Sequence, residues 1–162
     1  MYSIFGASVL SASASLPLHL LPLLILLVAR EDRLPLAWVG WLGSAYMAGQ
    51  LFAALALPTL RVDRVPRAHA LVAVVGLLFV LGLSGTLTGM ALLASWFAVG
   101  LVCGTLHFLA TTAAAAVSDR RRAFAVRMAM SSLVAGVVIV GLQWVKGIDA
   151  YASLAVQLTA FA

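Results

Sequence analysis

The sequence predicts an all-α fold, a polytopic transmembrane helix bundle with five spans and a partial sixth. Of the 162 residues, 64% are hydrophobic and 9% are charged. A soluble domain carries roughly a quarter charged residues, so this chain has too few charges to cover a surface that faces water. The charges also fall into short clusters between long apolar stretches. We therefore expect an integral protein whose main partner is the lipid bilayer.

Charge-free stretches define the spans, because a spanning helix needs about 20 apolar residues. The first, second and fourth stretches each hold one span. The third, residues 68–118, is cut by Ser84-Gly85-Thr86-Leu87-Thr88-Gly89, a turn-forming cluster that divides it into two helices. The last stretch is too short to cross the bilayer and resembles the start of a sixth helix. The predicted spans within a single domain, 1–162, are 9–29, 36–60, 68–83, 90–117 and 125–145, with a partial helix at 150–162.

Individual residues support the order of these elements. Pro17 and Pro22 lie inside the first helix and are expected to bend it, with neighbouring helices satisfying the freed carbonyls. Pro35 opens the second helix at a first-turn position. Because the connections are short, we expect consecutive helices to be antiparallel neighbours.

Small residues predict where helices approach each other. Gly40 and Ser44 recur every fourth residue in the second helix, followed by Ala48, and Gly100 and Gly104 do so in the fourth. Close packing through small residues is a main source of helix association in lipid. The alternative is that a composition rich in Gly and Ala produces such spacings by chance.

The distribution of positive charge predicts the orientation. With the N-terminus in the cytoplasm, the inner loops hold seven of the ten Lys and Arg residues and the outer loops hold three, as the positive-inside rule requires. Topology thus accounts for the net charge of +5 without a nucleic-acid partner. We expect a bacterial cytoplasmic (inner) membrane protein with a cytoplasmic N-terminus.

The charged loop between the second and third helices carries a family resemblance. It resembles the signature G-x-L-x-D-R-x-G-R-R-x-x-L of the major facilitator superfamily, and residues 40–46 are similar to the helix 2 entry of that family. The matching residues are Asp63, Arg64, Arg67 and Leu71, and the departures are Thr59, Pro66 and Ala68. The resemblance implies the N-terminal half of such a transporter, helices 1–5 and the start of 6.

The resemblance also implies a gating motif of Asp63, Arg64 and Arg67, in which Asp63 latches onto the opposite half of the transporter. Asp63 and Arg67 are four residues apart and could pair locally. The alternative is a simple positive anchor at the membrane surface. Trp96 occupies a helix 4 position where many members carry Arg, so coupling of protons through that Arg is not expected.

Polar residues inside the spans are candidates for function because they are costly in lipid. Gly100, Gly104, His107 and Thr111 share one helical face, which is expected to face protein or a cavity. In the superfamily, helices 1, 2, 4 and 5 line the central cavity. The cavity and substrate candidates are therefore His19, Gln50, His107 and Gln143; the alternative for each His is an interhelical hydrogen bond that only holds the bundle together.

The resemblance implies a permease that moves a small solute by alternating access with a second half. Since no Asp, Glu, Lys or Arg is expected at mid-depth, a neutral or amphipathic solute is favoured. The second half would be a missing C-terminal half or another copy in a homodimer. The alternative function is a non-catalytic structural or assembly subunit of a larger membrane complex.

Enzyme chemistry is not expected. The sequence has no paired intramembrane carboxylates, no HExxH motif and no phosphate-binding loop, and two His residues without supporting Cys or carboxylates make a poor metal site. We predict no cofactor and no metal. Trp41, Trp96 and Trp144 lie near predicted outer helix ends, where interfacial Trp is common.

Overall fold

Helices account for all the regular secondary structure in the described part of the chain. The computed structural model describes residues 4–31, 33–59 and 67–144. The predicted helical bundle is confirmed in these ranges; the predicted partial helix at 150–162 lies outside them. The helices are α1 (Ile4–Arg30), α2 (Leu36–Val39), α3 (Trp41–Thr59), α4 (Arg67–Ser84), α5 (Gly89–Ala115) and α6 (Arg120–Trp144).

Three helical stretches among the described residues are long and apolar enough to cross a membrane. They are Ser8–Arg30, Leu36–Pro58 and Gly89–Ala115, and α4 contributes a shorter apolar stretch, Leu71–Ser84. These lengths are compatible with an integral membrane protein. The five-span topology and the orientation remain predictions.

The helices α1 and α6 each begin five residues before the predicted spans, and the second predicted helix is divided. Pro17 and Pro22 both lie inside α1, which continues past them. The predicted second helix is divided at Gly40, which forms the C-cap of α2. Pro35 precedes α2 as its N-cap, with an extended backbone that sets the start of the helix.

The helix α5 lies at the centre of the bundle, since it packs against α1, α3 and α4 and more weakly against α6. This position suits a helix that is apolar on all sides. The most extensive contacts join α3 with α5 and α1 with α6, whereas α3 and α4 share little contact in their described parts. The prediction that consecutive helices are neighbours holds for α4 with α5, whereas α1 with α3 and α5 with α6 meet only weakly and the described parts of α3 and α4 have little contact. Loop length limits the distance between helices, but the shapes of their faces decide which ones pack.

The buried polar side chains in the described ranges are serines together with Tyr46, whereas large apolar side chains cover the outside. Leu36 is 82% exposed, and Phe79 and Val72 are each 70% exposed. An apolar surface of this extent would be unstable in water and suits contact with lipid. The hydroxyls of Ser15 and Ser95 donate to the carbonyls of Ala12 at 3.0 Å and Leu92 at 2.7 Å within their own helices.

Trp96 is fully buried in the core, so its prediction as an interfacial residue is wrong. Its ring meets the Tyr46 ring edge-on, with centroids 6.0 Å apart and an interplanar angle of 63°. Because α5 is central, position 96 faces neighbouring helices instead of the membrane interface. Trp41 is 61% exposed at the start of α3, and the side chain of Trp144 lies outside the described residues.

The helices α3 and α5 approach each other at three glycines. A Cβ placed on Gly100 would lie 2.0 Å from the Tyr46 carbonyl oxygen, and one on Gly49 would lie 2.1 Å from that of Phe97. A Cβ on Gly104 would lie 2.7 Å from the Cβ of Ala53. Only residues without a side chain fit these positions.

The predicted packing face of the second helix is different from the observed one. Gly40 and Ser44 are exposed, and a Cβ on Gly40 would meet nothing within 4 Å. The face of α3 that contacts α5 instead runs through Tyr46, Gly49 and Ala53. Small residues do mark the packing face of this helix, but the observed face lies on a different side of the helix from the predicted one.

The segment after α1 is held to the turn before α5. Arg33 pairs with Glu31 and also donates from its guanidinium to the Gly85 carbonyl. The Gly89 amide donates to the Arg33 carbonyl at 2.8 Å, with Gly89 in the left-handed conformation at φ 57°. The two predicted outer loops thus lie at the same end of the bundle.

An Arg33→Met variant is expected to lose about 1–2 kcal/mol of unfolding free energy, because it removes charge-assisted hydrogen bonds at a partly buried site. Unfolding by sodium dodecyl sulfate in mixed micelles, followed by circular dichroism, measures the change. Arg30→Met, at the exposed last turn of α1, is the matched control. Equal losses in both variants would contradict a stabilising role for the Arg33 contact.

Candidate functional site

An open groove of about 480 Å³ lies between α3 and α5. Its volume falls in the range of small-molecule sites. Two of the predicted cavity residues, Gln50 and His107, lie in its walls. The complete lining is Met47, Gln50, Leu51, Ala54, Gly104, His107, Phe108 and Thr111.

The groove is a consequence of the glycine contacts. Gly100 and Gly104 hold the α5 backbone against α3, and the larger His107 and Phe108 follow one turn later. Residues at spacings of three and four share a helical face, so His107 and Thr111 continue the glycine stripe into the groove. The predicted face of α5 thus has two parts. Its glycines pack against α3, and its His107 and Thr111 line the groove.

Gln50 is oriented by the buried Tyr46. Its Nε2 donates to the Tyr46 hydroxyl at 2.8 Å, and that hydroxyl lies 3.5 Å from the Ala14 carbonyl oxygen of α1. The helices α1 and α3 thus meet at one polar contact next to the groove. A fixed amide in an otherwise apolar wall can orient a ligand through hydrogen bonds.

His107 lies in the opposite wall. Its Nδ1 is buried and has no hydrogen-bond partner among the described residues. A buried polar nitrogen without a partner is costly, which is typical of a position that a ligand or water completes. The carbonyl of His107 accepts a hydrogen bond from the Thr111 hydroxyl at 2.7 Å.

Arg127 of α6 reaches the same end of the groove. Its Nη1 donates to the Thr111 hydroxyl at 2.7 Å, and its Nε donates to the Ser11 hydroxyl of α1 at 2.9 Å. The Ser131 hydroxyl lies 3.3 Å from that of Ser11. The Arg127 guanidinium carbon also lies 5.7 Å from the centroid of the Phe124 ring. We call Arg127, Ser11, Thr111 and Ser131 the arginine cluster.

Sequence reasoning missed the arginine cluster because it treated Arg127 as one of the inner-loop charges. Two signals could have found it. Arg127 stands apart from Arg120, Arg121 and Arg122 and lies beyond the first turn of α6. Ser8, Ser11 and Ser15 also recur at helical spacing, and all three are buried, so they mark a polar face of α1.

The other predicted site residues do not join this groove. His19 is exposed on α1. Gln143 belongs to α6, but its side chain lies outside the described residues, as does that of Arg67 at the start of α4. Asp63 and Arg64 also lie outside the described residues, so the gating motif stays a prediction. Within the described ranges, no three metal-ligating side chains form a group.

Comparisons with known proteins give no relative: the chain matches no protein-family model, no curated protein and no solved structure. The groove and the residues around it are therefore the features of this chain that point to a function.

Proposed function

We propose that this chain is one half of a transporter of the major facilitator type, in which a small neutral or amphipathic solute is moved by alternating access with a second half. It would cross the bacterial inner membrane five times, with its N-terminus in the cytoplasm. The observation that carries the proposal is the open groove with Gln50 and His107 in its walls.

The position of the groove supports this proposal. It lies between α3 and α5, which correspond to the second and fourth predicted spans. The family resemblance implies that these two spans line the central cavity. Gln50 and His107 would be costly in contact with lipid, whereas a water-filled cavity shared with a second half would solvate them. A transporter half is therefore a better explanation of the groove than a purely structural subunit.

The exposed His19 is consistent with a second half. It lies among apolar exposed residues of α1, including Val9 and Leu26. A His in lipid near the middle of a span is unfavourable, and such residues usually face protein or water. In the proposed assembly, the second half covers this part of α1. Asp63 would then serve as the latch between the halves.

Cysteine labelling tests whether the groove is aqueous. In a Cys103→Ala background, Ala54→Cys is expected to react with a membrane-impermeant maleimide about tenfold faster than Leu55→Cys, because the reactive thiolate forms in water. Ala54 lies in the groove wall, whereas its neighbour Leu55 is 66% exposed outside it. Both positions lie at almost the same depth in α3, which makes Leu55→Cys the matched control.

Equal labelling rates at the two positions would contradict an aqueous groove. Measurement of the native mass of the gently solubilised protein adds a second criterion. A homodimer, or a complex with one further transporter half, supports alternating access. A fixed complex with several larger proteins, together with an unreactive Ala54→Cys, would favour the assembly-subunit function instead.

A further inference from the structure

We propose that the groove binds an organic anion with an apolar body, and that Arg127 attracts the anionic group to the Thr111 end. This inference rests on the proposed function, because it assigns a substrate class to the same groove. It narrows the expected neutral or amphipathic solute to an anionic amphipathic one.

Arg127 places a positive charge well beyond the start of α6. The side chain lies about 10 Å along the axis from the first residue of α6, at 1.5 Å per residue. Its described polar contacts are the hydroxyls of Ser11 and Thr111, which are neutral. The ion pair in the described part of the chain joins Arg33 and Glu31 at the other end of the bundle. The described residues therefore leave the charge of Arg127 uncompensated.

The guanidinium of Arg127 has more hydrogen-bond donors than its described contacts use. Arginine has five N–H donors in a planar fork that matches a carboxylate. The contacts to Ser11 and Thr111 use one donor from Nε and one from Nη1. A half-buried cation held between helices by hydroxyls is thus fixed in position while donors remain for an anion.

The side chain of Thr111 connects Arg127 to the groove. Thr111 is both a wall residue of the groove and the hydrogen-bond acceptor of Arg127. A carboxylate at the Thr111 end of the groove would lie within roughly 6 Å, about two hydrogen-bond lengths, of the guanidinium and its remaining donors. At that distance the attraction is substantial in a medium less polar than water.

The apolar remainder of the groove determines the rest of the ligand. Met47, Leu51 and Phe108 provide most of the wall that is not polar. Side chains of this kind favour an alkyl or aromatic body, and the volume of about 480 Å³ accommodates a small amphiphile. The positive charge of Arg127 lies at one end of the groove, and the apolar wall lies beside that end. This arrangement matches the two parts of an amphipathic anion.

A pair of probes that differ in charge tests the inference. We would measure how far 4-phenylbutyrate and its neutral analogue 4-phenylbutyramide slow the labelling of Ala54→Cys in the Cys103→Ala background. The protein would be in phosphatidylcholine nanodiscs. At the same concentration, the acid is expected to slow labelling about tenfold and the amide less than about twofold, because only the acid carries a charge for the guanidinium.

Variants of Arg127 identify the cation that is responsible. Arg127→Gln is expected to remove the difference between acid and amide, and Arg127→Lys to retain most of it, since lysine keeps the charge without the fork. Both variants must give the size-exclusion profile of the parent protein. The acid and the amide are first compared on protein with an unchanged Arg127. That comparison therefore remains valid even if an Arg127 variant misfolds.

The outcomes separate the two proposals. If Ala54→Cys labels rapidly but acid and amide protect it equally, or neither protects it, the anion inference is wrong and the aqueous groove stands. If Ala54→Cys does not label, the aqueous groove is wrong, and the anion inference falls with it. Protection by added phosphatidylglycerol that depends on Arg127 would support the inference and identify a lipid headgroup as a source of the anion.

Discussion

A Gly100→Ala variant is expected to lose much of the contact between α3 and α5, although it adds only one methyl group. That methyl carbon would lie 2.0 Å from the Tyr46 carbonyl oxygen and 2.8 Å from its carbonyl carbon. Both atoms belong to the backbone, so no side-chain rotation relieves the overlap and the helices must separate. Overpacking of this kind typically costs about 1–3 kcal/mol, occasionally more.

Unfolding by sodium dodecyl sulfate in mixed micelles, followed by circular dichroism, measures the loss. Gly76→Ala in α4 is the matched control, because a Cβ there would meet nothing within 4 Å. Alanine is the better helix former, so the control is expected to be neutral or more stable. If Gly100→Ala proves as stable as Gly76→Ala, α3 and α5 do not approach as closely as Gly100 and Gly49 indicate.

The course of each helix could be predicted from sequence because it depends on local chemistry. Apolar length, the turn before Gly89 and the proline before Leu36 each act within a few residues. Helix pairing depends on faces that lie far apart in the chain. Gly49 and Gly100 have to meet at the correct rotation of both helices, whereas the Gly40 and Ser44 spacing looks equivalent in sequence and faces outward.

Part of the groove could also be predicted from local sequence features. Gln50 and His107 are conspicuous as polar residues in apolar helices, and both lie in the groove. The role of Arg127 could not be predicted, because an arginine near a charged loop normally lies at the membrane interface. Its role became visible only when Ser11 of α1 and Thr111 of α5 were placed beside it, which depends on the α1 and α6 pairing.

The second large effect is expected from Trp96→Ala. Trp96 is fully buried, and its ring packs edge-on against Tyr46. Truncation would leave a cavity beside α5, the helix that the others pack against. Loss of a buried aromatic side chain costs about 3–5 kcal/mol in well-packed cores. In lipid, where van der Waals packing holds helices together, the lost contacts themselves would be the main cost.

Trp41→Ala is the matched control, because it removes the same atoms from a residue that is 61% exposed. The loss of unfolding free energy is expected to be several times larger for Trp96→Ala in the same mixed-micelle unfolding experiment. If Trp96 were an interfacial residue, as its sequence position suggests, the two variants would lose similar amounts. A larger loss for Trp96→Ala would arise from packing inside the protein, because most of the Trp41 side chain is exposed. The comparison therefore tests the central position of α5, on which the groove and the arginine cluster depend.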